Sequence, residues 1–375
     1  MQTDRTDLEG LATPALVLDT AKMTRNIDRL AARASDLGVT LRPHMKTAKS
    51  VDVAKRLTGG DTTGPITVST LKEAEVFHGA GYTDILYAVG IAPQKLPHVQ
   101  ELRGRGCDLV VILDSAAQAV AVADAGVPAL IEIDSDGHRG GLSADDPDLI
   151  KVGRILHDHG LLRGVMTHAG ESYGARGQTA HAAFAERERD AVVGAAENLR
   201  AGGLDCPVVS VGSTPTAHAA RDLTGVTEMR AGVYMFFDLV MAGIEVCRVD
   251  DIALSVLTTV IGHQNAKGWV MIDAGWMAMS RDRGTAAQSV DQGYGIVCDA
   301  QGAVIPDLIV ISANQEHGII ALRPGANGTV PDLPVGTRLR ILPNHACATA
   351  AQHDRYHVLP AQDGTMAVWH RFNGW

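Results

Sequence analysis

The sequence predicts an α/β fold in two parts, a (β/α)8 barrel followed by a mostly β domain. Three observations carry that prediction. From residue 13 to about residue 240, short apolar runs alternate with longer amphipathic or Ala-rich ones. About eight such strands fit into that stretch, the count and length of a barrel. Beyond it helical periodicity largely disappears, and short β-branched runs are separated by Gly, Pro and Asp. At 375 residues the chain also exceeds the ~250 to 300 at which single cores stop growing. The expected division is a barrel over 13–240 and a β domain over 241–375, the latter joined by residues 1–12.

Pro14 to Asp19 reads as the first strand, and Met23 to Leu37 as a helix, with Ile27, Leu30, Ala31 and Ala34 recurring at a period near 3.6. Thr40 to His44 is a second strand that ends near Pro43, because the residue before proline is pushed toward extended geometry. Strands at Ile66–Ser69, Asp84–Val89 and Leu109–Asp114 each precede a helix, at Lys72–Phe77, Leu96–Leu102 and Ala116–Ala125. Pro128–Ile133 and Leu162–Thr167 follow, then a long helix around Thr179–Ala201, then Pro207–Gly212 and Glu228–Gly232. An open doubly wound sheet would give the same alternation. The strand count favours the barrel. Asp136-Gly137-His138-Arg139-Gly140-Gly141 lacks the Gly-x-Gly-x-x-Gly spacing of a dinucleotide fold.

In the second part, Ala253–Ile261, Gly268–Gly275, Ala303–Ile305, Ile309–Ile311, Gly318–Ala321 and Arg338–Leu342 are strand candidates. Thr365–Phe372 is the last and is expected to pair back onto that domain.

Composition bounds the function. Hydrophobic residues at 46% and charged ones at 20% describe an ordinary globular protein. A formal charge of −10 argues against a broad nucleic-acid surface. It leaves anionic substrates open, since a few buried cations can reverse the potential inside a cleft. No run approaches the ~20 apolar residues of a membrane span. Met1–Asp7 is polar, with no secretory apolar run behind it, so a cytoplasmic location is expected. Cys107, Cys206, Cys247, Cys298 and Cys347 are odd in number and widely spaced, as reduced thiols would be.

A barrel gathers reactive groups where strands end. Lys46, Arg139, His168, Tyr173, Ser213 and Thr214 all fall just after predicted strands. A lysine in a partly dry cavity can lose proton affinity and form a Schiff base, which makes Lys46 the candidate nucleophile, with Lys49 and the more surface-like Lys72 as rivals. Ser210–Thr216 supplies backbone N–H groups, hydroxyls and a helix start, a combination suited to phosphate; an ordinary Ser/Thr cap would look the same. Gly232 and Tyr234 could complete a phosphate cradle. His345 and Cys347, read as a strand, would face one side and could share a divalent ion, with substrate or water filling the shell. A buried histidine beside an inert cysteine would look the same.

Together, Arg42-Pro43-His44-Met45-Lys46-Thr47-Ala48-Lys49, Thr167 to Tyr173, Gly212 to Thr216 and His345-Ala346-Cys347 resemble the D-serine dehydratase and D-threonine aldolase family. The resemblance runs from about Thr13 to the C-terminus. It implies the alanine-racemase-like fold, a pyridoxal 5'-phosphate-binding barrel with a C-terminal β domain, in a homodimer. It further implies that Lys46 carries the cofactor as an imine and then acts as base at Cα, and that Tyr173 bonds the pyridine nitrogen, with His168 near the ring. Gly212, Ser213, Thr214, Gly232 and Tyr234 would surround the phosphate. His345 and Cys347 would hold a divalent metal: Zn, Mn, Co or Ni. The implied activity is metal-assisted dehydration of a D-3-hydroxy amino acid, with 3-hydroxyaspartate giving oxaloacetate and ammonia, and D-threonine and D-serine as further substrates. Aldol cleavage to glycine and an aldehyde is the alternative; aldolases of the family resemble His-x-Asp where this chain has His-x-Cys. A racemase would leave the metal pair without a task, and a non-enzymatic cofactor-binding protein would leave the C-terminal domain without one. Arg139, Arg281 and Arg283 are the candidates for binding a side-chain carboxylate.

Overall fold

In a computed structural model, residues 8–359 and 366–375 are described; Met1–Asp7 and the head of the last strand candidate at Thr365 lie outside the described residues. The chain divides into two compact units, one of residues 28–232 with 373–375, the other of residues up to 27 with 233–372.

β1 (Ala15–Asp19), expected to open the barrel, belongs instead to the second unit. It pairs antiparallel with β10 (Leu254–Gln264), Ala15 opposite Leu257, and parallel with β16 (Arg355–Leu359), Val17 opposite His357. Its four apolar residues are all buried. A strand apolar on both faces suits the middle of any sheet, so local pattern could not assign it.

The barrel reaches eight strands without it. These are β2 (Thr40–Pro43), β3 (Ile66–Val68), β4 (Asp84–Gly90), β5 (Asp108–Leu113), β6 (Ala129–Ile133), β7 (Leu162–Thr167), β8 (Val208–Val211) and β9 (Glu228–Ala231). Their pairings are all parallel, in the order β2-β9-β8-β7-β6-β5-β4-β3, and a His44–Thr67 bridge joins the two ends. Side chains alternate along a strand, so the register places Leu86, Ile112, Leu130 and Met166 on one face, where they form an apolar cluster. The same face carries Arg42, Ser210, Glu228 and Arg230 on the neighbouring strands. Arg42 Nε lies 2.7 Å from Glu228 and its Nη1 2.7 Å from Asp84; Ser210 Oγ donates to Glu228 at 2.6 Å. The interior is therefore apolar on one side and ionic on the other. Two helices beyond the expected ones, Val51–Leu57 and Pro147–Asp158, complete the outer layer.

The second unit is a nine-stranded sheet ordered β11-β14-β13-β12-β15-β10-β1-β16-β17. Its remaining members are β11 (Trp269–Ile272), β12 (Ile296–Asp299), β13 (Val304–Ala313), β14 (Gly318–Leu322), β15 (Arg338–Leu342) and β17 (Ala367–His370). β10 also pairs with β11, which closes six of the strands into a ring. The candidates at Ala303–Ile305 and Ile309–Ile311 form one strand; it passes Pro306 because Asp307 adopts φ 58° and the register with β12 shifts there. β17 pairs antiparallel with β16, as expected of the terminal segment. Among the described residues no helix is long and apolar enough to cross a membrane.

Candidate active site

In the barrel unit, the face that carries Arg42, Met166, Ser210 and Arg230 continues at its carboxyl ends as His44, His168, Gly212 and Gly232, each two residues on. Strand period alone thus converges four of the motif positions on one mouth. His44 N–H donates to Ala231 O and Met45 N–H to Thr67 O, both at 2.8 Å, which ties the segment before Lys46 to β9 and β3. Met45 and Thr47 are buried while Lys46 between them is exposed. Of the rival lysines, Lys49 lies 3.3 Å from the buried carboxylate of Glu73, and Lys72 forms a surface pair with Glu75 at 2.9 Å.

His168 donates from Nδ1 to Gly212 O at 2.5 Å. That bond fixes the proton on Nδ1 and leaves Nε2 as an acceptor. Burial first, then the positive charges of Lys46, Arg139 and Arg230, push its pKa down to about 3, so the ring is neutral. His44 is likewise held well below its ordinary range by burial, then by Lys46, Arg230 and His168. Tyr173, on the short turn Gly170–Gly174, stands with its ring 6.2 Å from that of His168, tilted by 42°.

The loop after β8 only partly matches the expected phosphate cradle. Ser213 caps the helix Thr214–Ala219: its Oγ accepts from Thr216 N–H, and its own N–H donates to Thr216 Oγ1, both at 3.2 Å. Its hydroxyl also lies 2.9 Å from Ser172 Oγ. The ordinary cap reading therefore describes the Ser213 side chain. Thr214 Oγ1, by contrast, is buried and has no partner among the described residues. A Cβ on Gly212 would fall 2.0 Å from Arg230 O, so that glycine is required by close approach; one on Gly232 would stand 3.1 Å from Thr47 Oγ1, a tight fit. An orphaned buried hydroxyl beside side-chain-free backbone fits a phosphate.

Arg139 lies 3.8 Å from Glu132, an ion pair at the end of β6. Asp134-Ser135-Asp136 is a solvated turn in which Asp134 accepts from the N–H groups of Asp136 and Gly137. Sequence reasoning missed Arg230 and Glu188, both buried. Arg230 donates to Ser210 Oγ and Thr167 O.

The other unit holds Tyr234, His345 and Cys347. Tyr234 is buried and its hydroxyl has no partner among the described residues. His345 and Cys347 do not lie on a strand: β15 ends at Leu342, Pro343 interrupts the run, and His345 is the N-cap of the helix Ala346–Ala350. They are nevertheless hydrogen-bonded to each other. His345 Nδ1 lies 2.7 Å from Asp282 Oδ2. Asp238, fully buried, accepts from Ala346 N–H and Met241 N–H at 2.9 Å each and so anchors the turn that carries the pair. Burial would lower the His345 pKa, but the bonds to Asp282 and Cys347 and the charge of Asp238 outweigh it and raise it to about 11. Among the described residues no three His, Cys, Asp or Glu side chains converge as a metal set, so this pair would need ligands from substrate or water. An imidazole oriented by a carboxylate beside a thiol fits a borderline divalent ion. Three other thiols, Cys107, Cys206 and Cys298, are buried and pushed up to about 11, as inert packing residues are. Arg283 pairs with Asp291 at 2.8 Å, and Arg281 lies 5.3 Å over the Trp276 ring.

Comparison with known proteins gives the same two parts. Residues 18–240 match the alanine racemase N-terminal domain, and residues 253–359 a putative serine dehydratase domain. The chain is 59% identical to D-threo-3-hydroxyaspartate dehydratase of Delftia sp. (strain HT23), covering 97% of this chain and 98% of that one. A solved mutant of D-threo-3-hydroxyaspartate dehydratase in the metal-free form superposes with a TM-score of 0.95 at 58% identity, over 99% of this chain and 100% of the other. D-threonine aldolase of Arthrobacter sp. is more distant, 29% identical over 96% of this chain and 92% of its own.

Proposed function

The chain belongs to the alanine-racemase-like family that holds the D-serine dehydratases and D-threonine aldolases, and from that premise we propose that it dehydrates D-threo-3-hydroxyaspartate to oxaloacetate and ammonia. D-Threonine and D-serine are further substrates in this reading. The supporting observation is the carboxylate-oriented His345 beside Cys347, together with 59% identity to a dehydratase over nearly the whole chain.

Lys46, His168, Tyr173, Gly212, Thr214 and Gly232 would hold pyridoxal 5'-phosphate, with Ser213 shaping the loop by its cap and Tyr234 offering a buried hydroxyl. His345 and Cys347 would hold one divalent ion, Zn, Mn, Co or Ni. Bound there, the cofactor supplies an electron sink for charge at Cα and the ion supplies a Lewis acid for the β-hydroxyl. Lys46 Nζ takes the Cα proton. Neutral His168 keeps its single proton on Nδ1, so Nε2 accepts a hydrogen bond and adds no positive charge. Neutral His44 likewise adds no positive charge beside Lys46. Asp282 keeps a ring nitrogen of His345 engaged and thereby sets which one faces an ion. A homodimer in the cytoplasm completes the reading, with size-exclusion chromatography as the check on assembly.

Product analysis tests it. D-threo-3-Hydroxyaspartate should give oxaloacetate and stoichiometric ammonia, lost on chelation and restored by a divalent metal. Glycine and glyoxylate as main products would make the chain an aldolase.

A further inference from the structure

The helix Gln178–Ala201 contributes one carboxylate that the mechanism does not use. Glu188 is 2% exposed, and its Oε1 accepts the N–H of Ala169 at 3.0 Å and the N–H of Gly212 at 2.9 Å. Its side chain also bonds Thr216, the residue that closes the Ser213 cap. The gap beside it is narrow and is bounded by Val211, Gly212, Thr216 and Met229. The two N–H groups bracket His168: Ala169 follows it in the chain, and Gly212 accepts its Nδ1–H through the carbonyl. Gly212 passes Arg230 so closely that a Cβ would fall 2.0 Å from Arg230 O, so no side chain fits at this position.

We infer that Glu188 is a positioning residue that locks the loops after β7 and β8 together and so sets His168 and the Gly212–Thr214 segment for the cofactor. This rests on the proposed function. A single acceptor oxygen serves both N–H groups, so the carboxamide of Glu188→Gln can replace it and donate to Thr216. Glu188→Asp draws the acceptor back by one methylene, and Glu188→Ala removes it.

The test titrates cofactor-free protein with pyridoxal phosphate, following the visible band, beside urea unfolding of the same samples. Glu188→Gln should keep Kd within about threefold of wild type, whereas Glu188→Asp and Glu188→Ala should raise it about tenfold or more, as expected for two stranded donors. Should Glu188→Ala fail to fold, Glu188→Asp carries the comparison. A wild-type Kd in Glu188→Asp, with only its unfolding midpoint lowered, overturns the inference, as does a Glu188→Gln variant as weak as Glu188→Asp. A wild-type protein that binds no pyridoxal phosphate overturns the functional reading, and this inference with it.

Discussion

At the scale of single residues, Lys46 was legible because its position after a short strand and its neighbours in sequence both mark it. Glu188 was not. It sits in Glu186-Arg187-Glu188-Arg189-Asp190, a run that reads as a solvated helix face, and only the packing of the helix reveals that one of its charges points inward. Asp282 was hidden likewise, since its partner His345 is distant in sequence. Three outcomes follow at this scale. Lys46→Ala should abolish the visible band of the cofactor-loaded protein; a borohydride-reducible adduct retained on another lysine would move the assignment. Asp282→Asn should weaken divalent-metal binding by about 10- to 100-fold in a chelator competition, the usual cost of losing a carboxylate behind a histidine ligand. For His168 the sign follows from its lowered value. The unfolded chain protonates it near its ordinary 6.5, whereas the folded protein resists until about 3. Its contribution to stability is full above about 6.5 and declines as pH falls toward 3, where the unfolded state binds the extra proton. Urea unfolding of cofactor-free protein should therefore lose more stability between pH 7 and pH 5 in wild type than in His168→Gln.

At the scale of elements, periodicity located most strands and helices to within a few residues and misjudged those whose geometry depends on partners. The His345–Cys347 segment looked like a strand; Pro343 and the anchoring of Ala346 N–H by Asp238 turn it into a helix start. The short strands Ile296–Asp299 and Arg355–Leu359 escaped notice, the first flanked by glycine and aspartate, the second mixing charged and apolar residues. Gly164 shows how tightly two barrel strands depend on one another. Its φ of 139° and a Cβ position 1.9 Å from Val208 O leave no room for a side chain. Gly164→Ala should lower stability by about 3 kcal/mol or more, read as a reduced urea midpoint. A variant with an unchanged midpoint would show that β7 and β8 can separate.

At the scale of the whole molecule, the alternation of apolar runs was enough to give the barrel, because each parallel strand is covered by the helix that follows it. The allocation of β1 was not legible, since its partners Ser255 and His357 lie far along the chain from Val17. A chain begun at residue 28 should keep the barrel's far-ultraviolet signature while the amides within Leu254–Leu257 that face β1 lose their protection from hydrogen exchange; unchanged protection would mean that β10 does not need β1.

This arrangement also sets a timetable. Val17 pairs with His357, a separation of 357 − 17 = 340 residues along the chain. At about 5 to 20 residues per second, a ribosome takes roughly 17 to 70 seconds to make them. Throughout that interval the apolar strand β1 lacks one of its two neighbours, while the barrel strands encoded between them are made. β1 can meet β10 about a hundred residues earlier, but its pairing on both edges is complete only once β16 has been made.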